Sequence, residues 1–205
     1  MILSRRLLIC LIVLSTFLGA APALAHSALI VALGDSNTAG FGVGAENAFP
    51  ARLQALLRGK GYDVQVANAG VPGDTLGGML AHLDRYVPQG TRLVIVQGGY
   101  NDVIRGTTSA ALVASLNGIL SRLAARRIST VLCGFYNRGW DAVGRALAGR
   151  YGAIFVDGSA CYDSRYRSWD GLHMTAAGHQ VIAARLLPSV RGLLEPPQLH
   201  ASAEH

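Results

Sequence analysis

The chain alternates short apolar runs with longer segments of helical pattern, and this alternation constrains its fold more than any other feature. Five runs have the length of a strand and are almost continuously apolar: Ala28–Leu33, Val64–Asn68, Leu93–Gln97, Thr130–Gly134 and Ile154–Val156. Such continuous hydrophobicity is typical of strands buried on both faces, as in a parallel sheet.

Helical segments fill the intervals between these runs. Five are predicted, at Pro50–Arg58, Leu76–Tyr86, Ala110–Arg126, Trp140–Arg150 and Thr175–Leu187. Proline suits the first turn of the first helix, and Pro188 should stop the last. Because alternating strands and helices form right-handed βαβ units, we predict an α/β fold, a three-layer α/β/α sandwich with a five-stranded parallel sheet.

The N-terminus has the pattern of a secretory signal peptide. Arg5 and Arg6 precede an apolar stretch that ends at Leu18, and Ala23-Leu24-Ala25 forms a small-x-small cleavage site. An apolar stretch of about 12 residues is shorter than the roughly 20 that cross a bilayer. We therefore expect residues 1–25 to be removed and the protein to be periplasmic or secreted without a stable membrane anchor; a retained anchor is the alternative.

The remaining residues predict one domain, over 26–195, with a flexible tail at 196–205. Without Arg5 and Arg6, sixteen basic residues face twelve acidic ones, so the net charge is +4. The basic residues are scattered and form no stripe with interleaved aromatic residues. Nucleic-acid binding is therefore not expected, and the sequence predicts no oligomeric state.

Four polar segments lie where a parallel sheet of this kind places its ligand site, at the carboxyl ends of the strands. They are Gly34-Asp35-Ser36, the glycine-rich turn at 68–75, Gly99-Tyr100-Asn101-Asp102, and Asp170-Gly171-Leu172-His173 before the last helix. Together they supply what acyl transfer needs: a nucleophile, a base, a carboxylate to orient the base, and donors for an oxyanion.

These segments resemble the four conserved blocks of the SGNH (GDSL-type) hydrolase superfamily, in order and in spacing. Ser36 stands in the nucleophile block, Gly70 in the second, Asn101 in the third, and Asp170 with His173 in the fourth. The turn at 68–75 further resembles the arylesterase/lysophospholipase/thioesterase branch. The resemblance implies an SGNH/flavodoxin-like sheet.

The resemblance also implies roles. Ser36 would attack the ester carbonyl, His173 would accept its proton, and Asp170 would orient the imidazole. The backbone N–H groups of Ser36 and Gly70, with the side-chain amide of Asn101, would form the oxyanion hole.

The function implied is that of a serine esterase that hydrolyses carboxylic esters through an acyl-enzyme on Ser36. Its small-molecule or lipid-like substrates would include aryl and acyl esters, thioesters and lysophospholipids. A carbohydrate O-acetyl esterase is the alternative. A non-catalytic binding module is disfavoured, because it would not need an intact set of catalytic residues.

Three aromatic residues are candidates for the substrate pocket. Tyr100 occupies the variable position of the third block, where it would either narrow the pocket or cover the sheet edge. Phe135 and Tyr136 follow the fourth strand and would either line a groove or pack against a helix.

No metal and no cofactor are expected. The histidines lack the spacing of metal ligands. Gly40–Ala45 fits a dinucleotide-binding pattern formally, but it begins too far beyond the first strand, and the second strand ends in Asn68 rather than in an acidic residue.

Cys133 and Cys161 remain after the signal peptide is removed. They follow the fourth and fifth predicted strands, which should be neighbours at one sheet edge. In an exported protein such a pair suggests a disulfide, and two buried thiols are the alternative.

Overall fold

The computed structural model describes residues 27–134 and 138–195. Its centre is one sheet in which every pairing of neighbouring strands is parallel, in the spatial order β2-β1-β3-β4-β5. The strands are β1 (Ala28–Gly34), β2 (Val64–Gly70), β3 (Thr91–Gln97), β4 (Ser129–Cys133) and β5 (Ile154–Val156). The predicted α/β fold with a five-stranded parallel sheet is confirmed.

Helices cover both faces of the sheet. In the described residues they are α1 (Ser36–Ala39), α2 (Phe49–Arg58), α3 (Leu76–Ala81), α4 (Leu83–Tyr86), α5 (Tyr100–Ile104), α6 (Ser109–Ala125), α7 (Arg138–Arg150), α8 (Gly158–Cys161) and α9 (Ala176–Leu194), with a 3₁₀ turn at Ser164–Tyr166. The short helices α1, α5 and α8 were not predicted, because four or five residues are too few to show a helical period.

Strand β1 shows why the apolar runs are continuous. Ile30 and Ala32 pack toward α2 and α9, whereas Val31 and Leu33 pack toward α3 and α6. Successive side chains of a strand point to opposite faces, and all four are fully buried. The sheet therefore has an apolar core on each side.

The order of the strands reverses between β1 and β3. The chain runs from β1 to its neighbour β2, then crosses back over β1 to form β3 on the other side. Connections that leave β1 and β3 diverge at such a switch point, and the crevice between them is where sheets of this kind bind ligands. Ser36 follows β1 and Asn101 follows β3, so both border this crevice.

Two predicted helix boundaries are wrong. The helix predicted over 76–86 is divided at His82, whose backbone leaves the helical region (φ −109°, ψ 18°). The last helix passes through Pro188 and continues to Leu194, although proline removes one backbone hydrogen bond. Apolar packing outweighs that loss, because Val190 is fully buried against the sheet.

The two long helices of one layer, α2 and α9, are linked by a buried histidine. His179 is fully buried in α9, and its Nδ1 accepts the backbone N–H of Phe49 at 3.2 Å. Burial, with a smaller contribution from the nearby His173, lowers the pKa of His179 to about 4. The imidazole is therefore neutral near pH 7 and acts as an acceptor for the first turn of α2.

The predicted signal peptide (1–25) and flexible tail (196–205) lie outside the described residues, and the domain limits 26–195 stay a prediction. Among the residues that the structure describes, no helix is both long and apolar enough to cross a membrane.

Cys133 and Cys161 form a disulfide in the structure, between Cα atoms 6.1 Å apart. Cys133 ends β4 and Cys161 ends α8, which follows the neighbouring strand β5. Both side chains are buried, so the bridge fastens the end of β4 to the short helix that follows the edge strand β5.

We expect this disulfide in the oxidised protein. A chain expressed as residues 26–205 should show no free thiol when it is denatured without reductant. Reduction should lower the free energy of unfolding by about 3 kcal/mol, because the bridge closes a loop of intermediate length in the unfolded chain. Thiol titration and denaturant unfolding measure the two effects, and two titratable thiols before reduction would contradict the bridge.

Candidate active site

Ser36 is the first residue of α1, directly beyond the end of β1. The Asp35 carboxylate caps this helix by accepting the backbone N–H of Asn37 at 3.0 Å. Gly34 permits the sharp change from strand to helix, since a Cβ there would lie 2.1 Å from Thr38 Oγ1. The local sequence therefore fixes the serine at the mouth of the crevice.

The side chains of Ser36, His173 and Asp170 form a continuous chain of hydrogen bonds. His173 Nε2 lies 3.0 Å from Ser36 Oγ, across 137 residues of sequence. His173 Nδ1 lies 2.6 Å from Asp170 Oδ2. The pKa of Asp170 is held well below its usual range, chiefly by the hydrogen bond to His173 and also by Ser168 and two backbone N–H groups. Asp170 is therefore an ionised acceptor at neutral pH.

The loop that carries Asp170 and His173 is tied to the nucleophile helix. The backbone N–H of Met174 donates to Asn37 Oδ1 at 3.0 Å, in a buried contact. Within the loop, the Ser168 N–H donates to the His173 carbonyl at 2.7 Å. The Phe41 ring lies over the imidazole of His173, with centroids 4.5 Å apart. These contacts set the position of the imidazole relative to Ser36.

Two of the three predicted oxyanion donors keep an N–H hydrogen for which the described residues provide no acceptor. The Ser36 N–H belongs to the first turn of α1, where helix geometry provides no intrahelical acceptor. Asn101 Nδ2 donates one hydrogen to the Asp74 carbonyl at 2.8 Å, and an amide nitrogen carries a second.

Gly70 is placed less favourably. Its N–H donates to Asn68 Oδ1 at 3.0 Å. A Cβ on Gly70 would lie 2.2 Å from the backbone nitrogen of Ala39, so this glycine lets α1 pack closely over the end of β2. A role for its N–H in the oxyanion hole requires the bond to Asn68 to be exchanged for one to substrate, and this role stays a prediction.

The sequence reasoning missed Gly73, the next glycine along the chain. Residues 71–74 form a turn closed by a hydrogen bond from the Asp74 N–H to the Val71 carbonyl, with Gly73 at φ +78°. Within residues 27–134 and 138–195 the Gly73 N–H has no acceptor. The signal was present as Pro72-Gly73, a pair typical of a type II turn.

A role for His82 was also not predicted, because a single histidine without metal-ligand spacing carries no local signal. Its Nε2 lies 2.8 Å from Asp74 Oδ2, and that carboxylate is almost buried. The carbonyl of the same Asp74 holds the Asn101 amide. His82 therefore fixes a residue that in turn fixes Asn101. Among the described residues, no group of three or more metal-ligating side chains is arranged to hold an ion.

Of the three predicted pocket residues, Tyr100 belongs to the described part of the chain. Tyr100 opens α5 beside Asn101, and its side chain is partly exposed at the rim of the crevice. Phe135 and Tyr136 lie outside the described residues.

Comparison with known proteins agrees with this geometry. The model of the GDSL-like lipase/acylhydrolase family matches residues 32–181, a span that includes Ser36, Asn101, Asp170 and His173. The chain belongs to this family.

Relatives of this GDSL-like enzyme are named as esterases. Esterase TesA of Pseudomonas aeruginosa is 28% identical over 180 residues, which cover 80% of this chain and 89% of that protein. An arylesterase of Vibrio mimicus is 36% identical over 93 residues, which cover 45% of this chain and 46% of that protein.

Solved structures agree. AlinE4, an SGNH-hydrolase family esterase, is 31% identical with a TM-score of 0.66, covering 85% of this chain and all of that one. The structure of TesA is 26% identical with a TM-score of 0.73, covering 80% of this chain and 99% of that one. The predicted SGNH resemblance is confirmed, and the GDSL-like protein is a serine esterase that hydrolyses carboxylic esters.

A buried polar network lies beneath Ser36 in this esterase. Asp35 and Gln97 are almost fully buried, and the two side chains are hydrogen-bonded. Gln97 Oε1 also accepts a hydrogen bond from the Thr38 hydroxyl, and Gln97 Nε2 donates one to the Tyr162 hydroxyl. Burial raises the pKa of Asp35 from its ordinary 3.8 to about 6, although the bonds from Asn37 and Gln97 oppose the rise.

Replacing Asp35 by Asn should therefore change how stability depends on pH. Because the folded state holds the Asp35 proton more tightly than the unfolded chain, this residue costs stability as pH rises from about 4 to above 6. The Asp35→Asn variant lacks that cost. The difference between its free energy of unfolding and that of the wild type should therefore increase by about 2–3 kcal/mol, in favour of the variant, as pH rises through this range. Denaturant unfolding of both proteins at pH 4 and pH 8 measures the gain, and a difference that does not change with pH would contradict it.

Proposed function

We propose that Ser36, His173 and Asp170 are the catalytic triad of this esterase and that its preferred substrates are carboxylic esters with an apolar acyl group. The observation that carries the proposal is the unbroken series of hydrogen bonds from Asp170 Oδ2 through His173 to Ser36 Oγ. A nucleophile bonded to a base, which is bonded in turn to an orienting carboxylate, is the arrangement that activates a serine.

Each atom of the triad has a defined task. His173 Nε2 accepts the proton of Ser36 as Oγ attacks the carbonyl carbon, and the same nitrogen returns that proton to the departing alcohol. Water, deprotonated by His173, then attacks the acyl carbonyl, and His173 returns that proton to Ser36 Oγ as the acid departs. Asp170 accepts the Nδ1–H bond throughout, so that Nε2 stays free to receive the proton and the imidazolium is stabilised.

The oxyanion formed in each step needs donors that are already in position. We assign this task to the Ser36 N–H and to the second hydrogen of Asn101 Nδ2. For the third donor Gly73 is preferred over Gly70, because the Gly73 N–H has no acceptor among the described residues whereas the Gly70 N–H donates to Asn68.

The walls of the crevice favour apolar acyl groups. The Phe41 ring borders the catalytic histidine, and the partly exposed Tyr100 directly precedes Asn101 at the start of α5. Aryl esters, thioesters and lysophospholipids share an apolar group next to a carbonyl. A carbohydrate acetate would instead need polar donors and acceptors around its sugar.

We further propose that the enzyme is exported. The charged start, apolar stretch and small-x-small site within residues 1–25 favour a cleaved signal peptide. A disulfide between Cys133 and Cys161 suits an oxidising compartment such as the periplasm.

Ser36→Ala should abolish esterase activity and leave the fold intact, because it removes the nucleophilic oxygen and leaves the Asp35 cap and Asn37 contacts in place. Turnover of p-nitrophenyl acetate should fall by at least about 10³-fold, with an unchanged circular dichroism spectrum. A serine-directed phosphonate should label the wild type once, on Ser36. Labelling that persists in Ser36→Ala would refute the assignment.

A crystal structure of that phosphonate adduct also distinguishes the two glycines. The phosphonyl oxygen stands in for the oxyanion. It should lie about 2.7–3.1 Å from Ser36 N, Asn101 Nδ2 and Gly73 N. Contact with Gly70 N instead would restore the donor set expected from the sequence.

Loss of His82 should slow turnover without weakening substrate binding. In His82→Leu the Asp74 carboxylate loses its partner, and the Asn101 amide that depends on Asp74 is held less firmly. We expect kcat to fall about tenfold, a fraction of the 10²–10³ lost with a whole oxyanion donor, with KM nearly unchanged. His82→Gln, which keeps an N–H at a similar distance, should recover most of the rate. Equal losses in Leu and Gln variants would argue against a positioning role.

Substrate preference should rise with acyl-chain length and then level off. Each buried methylene contributes about 0.8 kcal/mol, or roughly fourfold in affinity, so kcat/KM should increase from acetyl to butyryl or hexanoyl p-nitrophenyl esters. If Tyr100 closes the groove, Tyr100→Gly should extend the optimum to longer chains. Acetyl esters that remain best in both proteins, together with release of acetate from an acetylated oligosaccharide, would favour the carbohydrate esterase instead.

A further inference from the structure

Within residues 27–134 and 138–195, the exposed large apolar side chains are gathered around the active site. They are Phe41, Tyr100, Val103, Ile104 and Trp169, with exposed fractions of 53%, 42%, 50%, 59% and 99%. We call this set the apolar rim. Such residues scattered singly over a surface need no explanation, but a group gathered around one site marks an interaction surface.

Each member of the apolar rim is tied to the catalytic groups by position. Phe41 stacks on His173, and Trp169 immediately precedes Asp170. Tyr100, Val103 and Ile104 lie on α5, the short helix that presents Asn101. The rim therefore borders the crevice through three separate connections, those that follow β1, β3 and β5.

Two arginines lie beside the apolar rim. Arg105 follows Ile104, donates to the Gly73 carbonyl at 2.7 Å, and has no ion pair with an acid in the described part of the chain. Arg167 lies two residues before Trp169 and donates to the Gly171 carbonyl at 3.1 Å.

The acids near this site are mostly engaged. Asp102 is buried and accepts the Leu76 N–H, Asp74 is paired with His82, and Asp170 is bonded to His173. Glu46, beyond the loop that carries Phe41, is the exposed acid on that side. An apolar surface with flanking arginines complements a layer that is apolar inside and anionic at its surface.

The described ends of the chain lie at the opposite end of the strands, where β1, β2 and β3 begin. The Ala28 N–H bonds the Asp63 carbonyl where β1 and β2 begin. Near the other end, the Leu193 carbonyl accepts from Arg92, at the start of β3. The segments before residue 27 and after residue 195 are thus attached at the end opposite to the apolar rim, so a separate partner is the better occupant.

We propose that the apolar rim docks on the surface of an anionic lipid aggregate, a micelle or a bilayer, and that ester substrates enter the crevice directly from it. This inference rests on the proposed function, since it assigns the physical state in which that active site meets its substrate. Trp169 and Phe41 would enter the acyl boundary while Arg105 and Arg167 contact the anionic head groups.

Vesicle binding by the enzyme over residues 26–205 tests the proposal. The probes are vesicles of dialkyl-ether phosphatidylglycerol, which contain no cleavable ester, and matched vesicles of dialkyl-ether phosphatidylcholine. The enzyme should sediment with the anionic vesicles, less with the zwitterionic ones, and less as sodium chloride rises from 50 to 500 mM. Of the two tryptophans, Trp140 and Trp169, only Trp169 is fully exposed, so its emission should shift to shorter wavelength on binding.

Two double variants provide the matched control. Trp169→Gln with Ile104→Gln should lower vesicle partitioning at least about tenfold, because two large apolar groups no longer leave water. Trp169→Phe with Ile104→Leu should retain it. Neither pair should alter hydrolysis of monomeric p-nitrophenyl acetate, which needs no surface.

Three results would overturn the proposal: no binding to either vesicle, equal and salt-independent binding to both, or unchanged binding by the Gln pair. A concentration-dependent dimer in sedimentation equilibrium that the Gln pair abolishes would assign the apolar rim to a second copy instead. Failure of docking with intact turnover and Ser36 labelling would leave the catalytic assignment standing, whereas failure of the proposed function would appear in turnover and labelling.

Discussion

The alignment of parallel strand ends is the constraint on which the rest of this structure depends. In the ladder Gly34 stands opposite both Gly70 and Gln97, so β1, β2 and β3 end at one level. The segments that follow these three strands must therefore lie together at the carboxyl end of the sheet. Glycine at the ends of β1 and β2 then allows α1 to pack directly over them. Ser36 is therefore positioned by backbone packing before any side-chain hydrogen bond is considered.

The second half of the site is attached to this edge by few contacts. The loop that carries Asp170 and His173 lies far along the chain, and it meets the nucleophile helix through Asn37 and through the ring of Phe41. Because α1 packs closely on the strand ends and the loop is bonded to it, the imidazole is held near Ser36 before substrate binds. Such preorganisation is what makes fixed dipoles effective in stabilising a transition state.

Several features at the carboxyl ends of the strands lower the stability of the fold. Asp35 is a carboxyl group buried beneath the nucleophile, and His179 is a neutral imidazole buried close to His173. Large apolar side chains remain in water around the crevice, although burying them elsewhere would stabilise the fold. Burial of titratable groups and exposure of apolar ones at a single place are typical of a site selected for reaction with an ester rather than for maximal stability.

The sequence alone determined the class of fold and predicted which residues form the site. Buried parallel strands need continuous apolar runs, and acyl transfer needs the residue types found at Ser36, Asn101, Asp170 and His173, so both could be read from local patterns. The tertiary structure decided what depends on contacts between distant segments. Pro188 stays helical because its helix packs on the sheet. His82 acquires a role only because Asp74 lies beside both it and Asn101. The bond from the Gly70 N–H to Asn68, the lack of an acceptor for the Gly73 N–H among the described residues, and the gathering of the apolar rim likewise follow from the three-dimensional arrangement of turns, which no sequence period encodes.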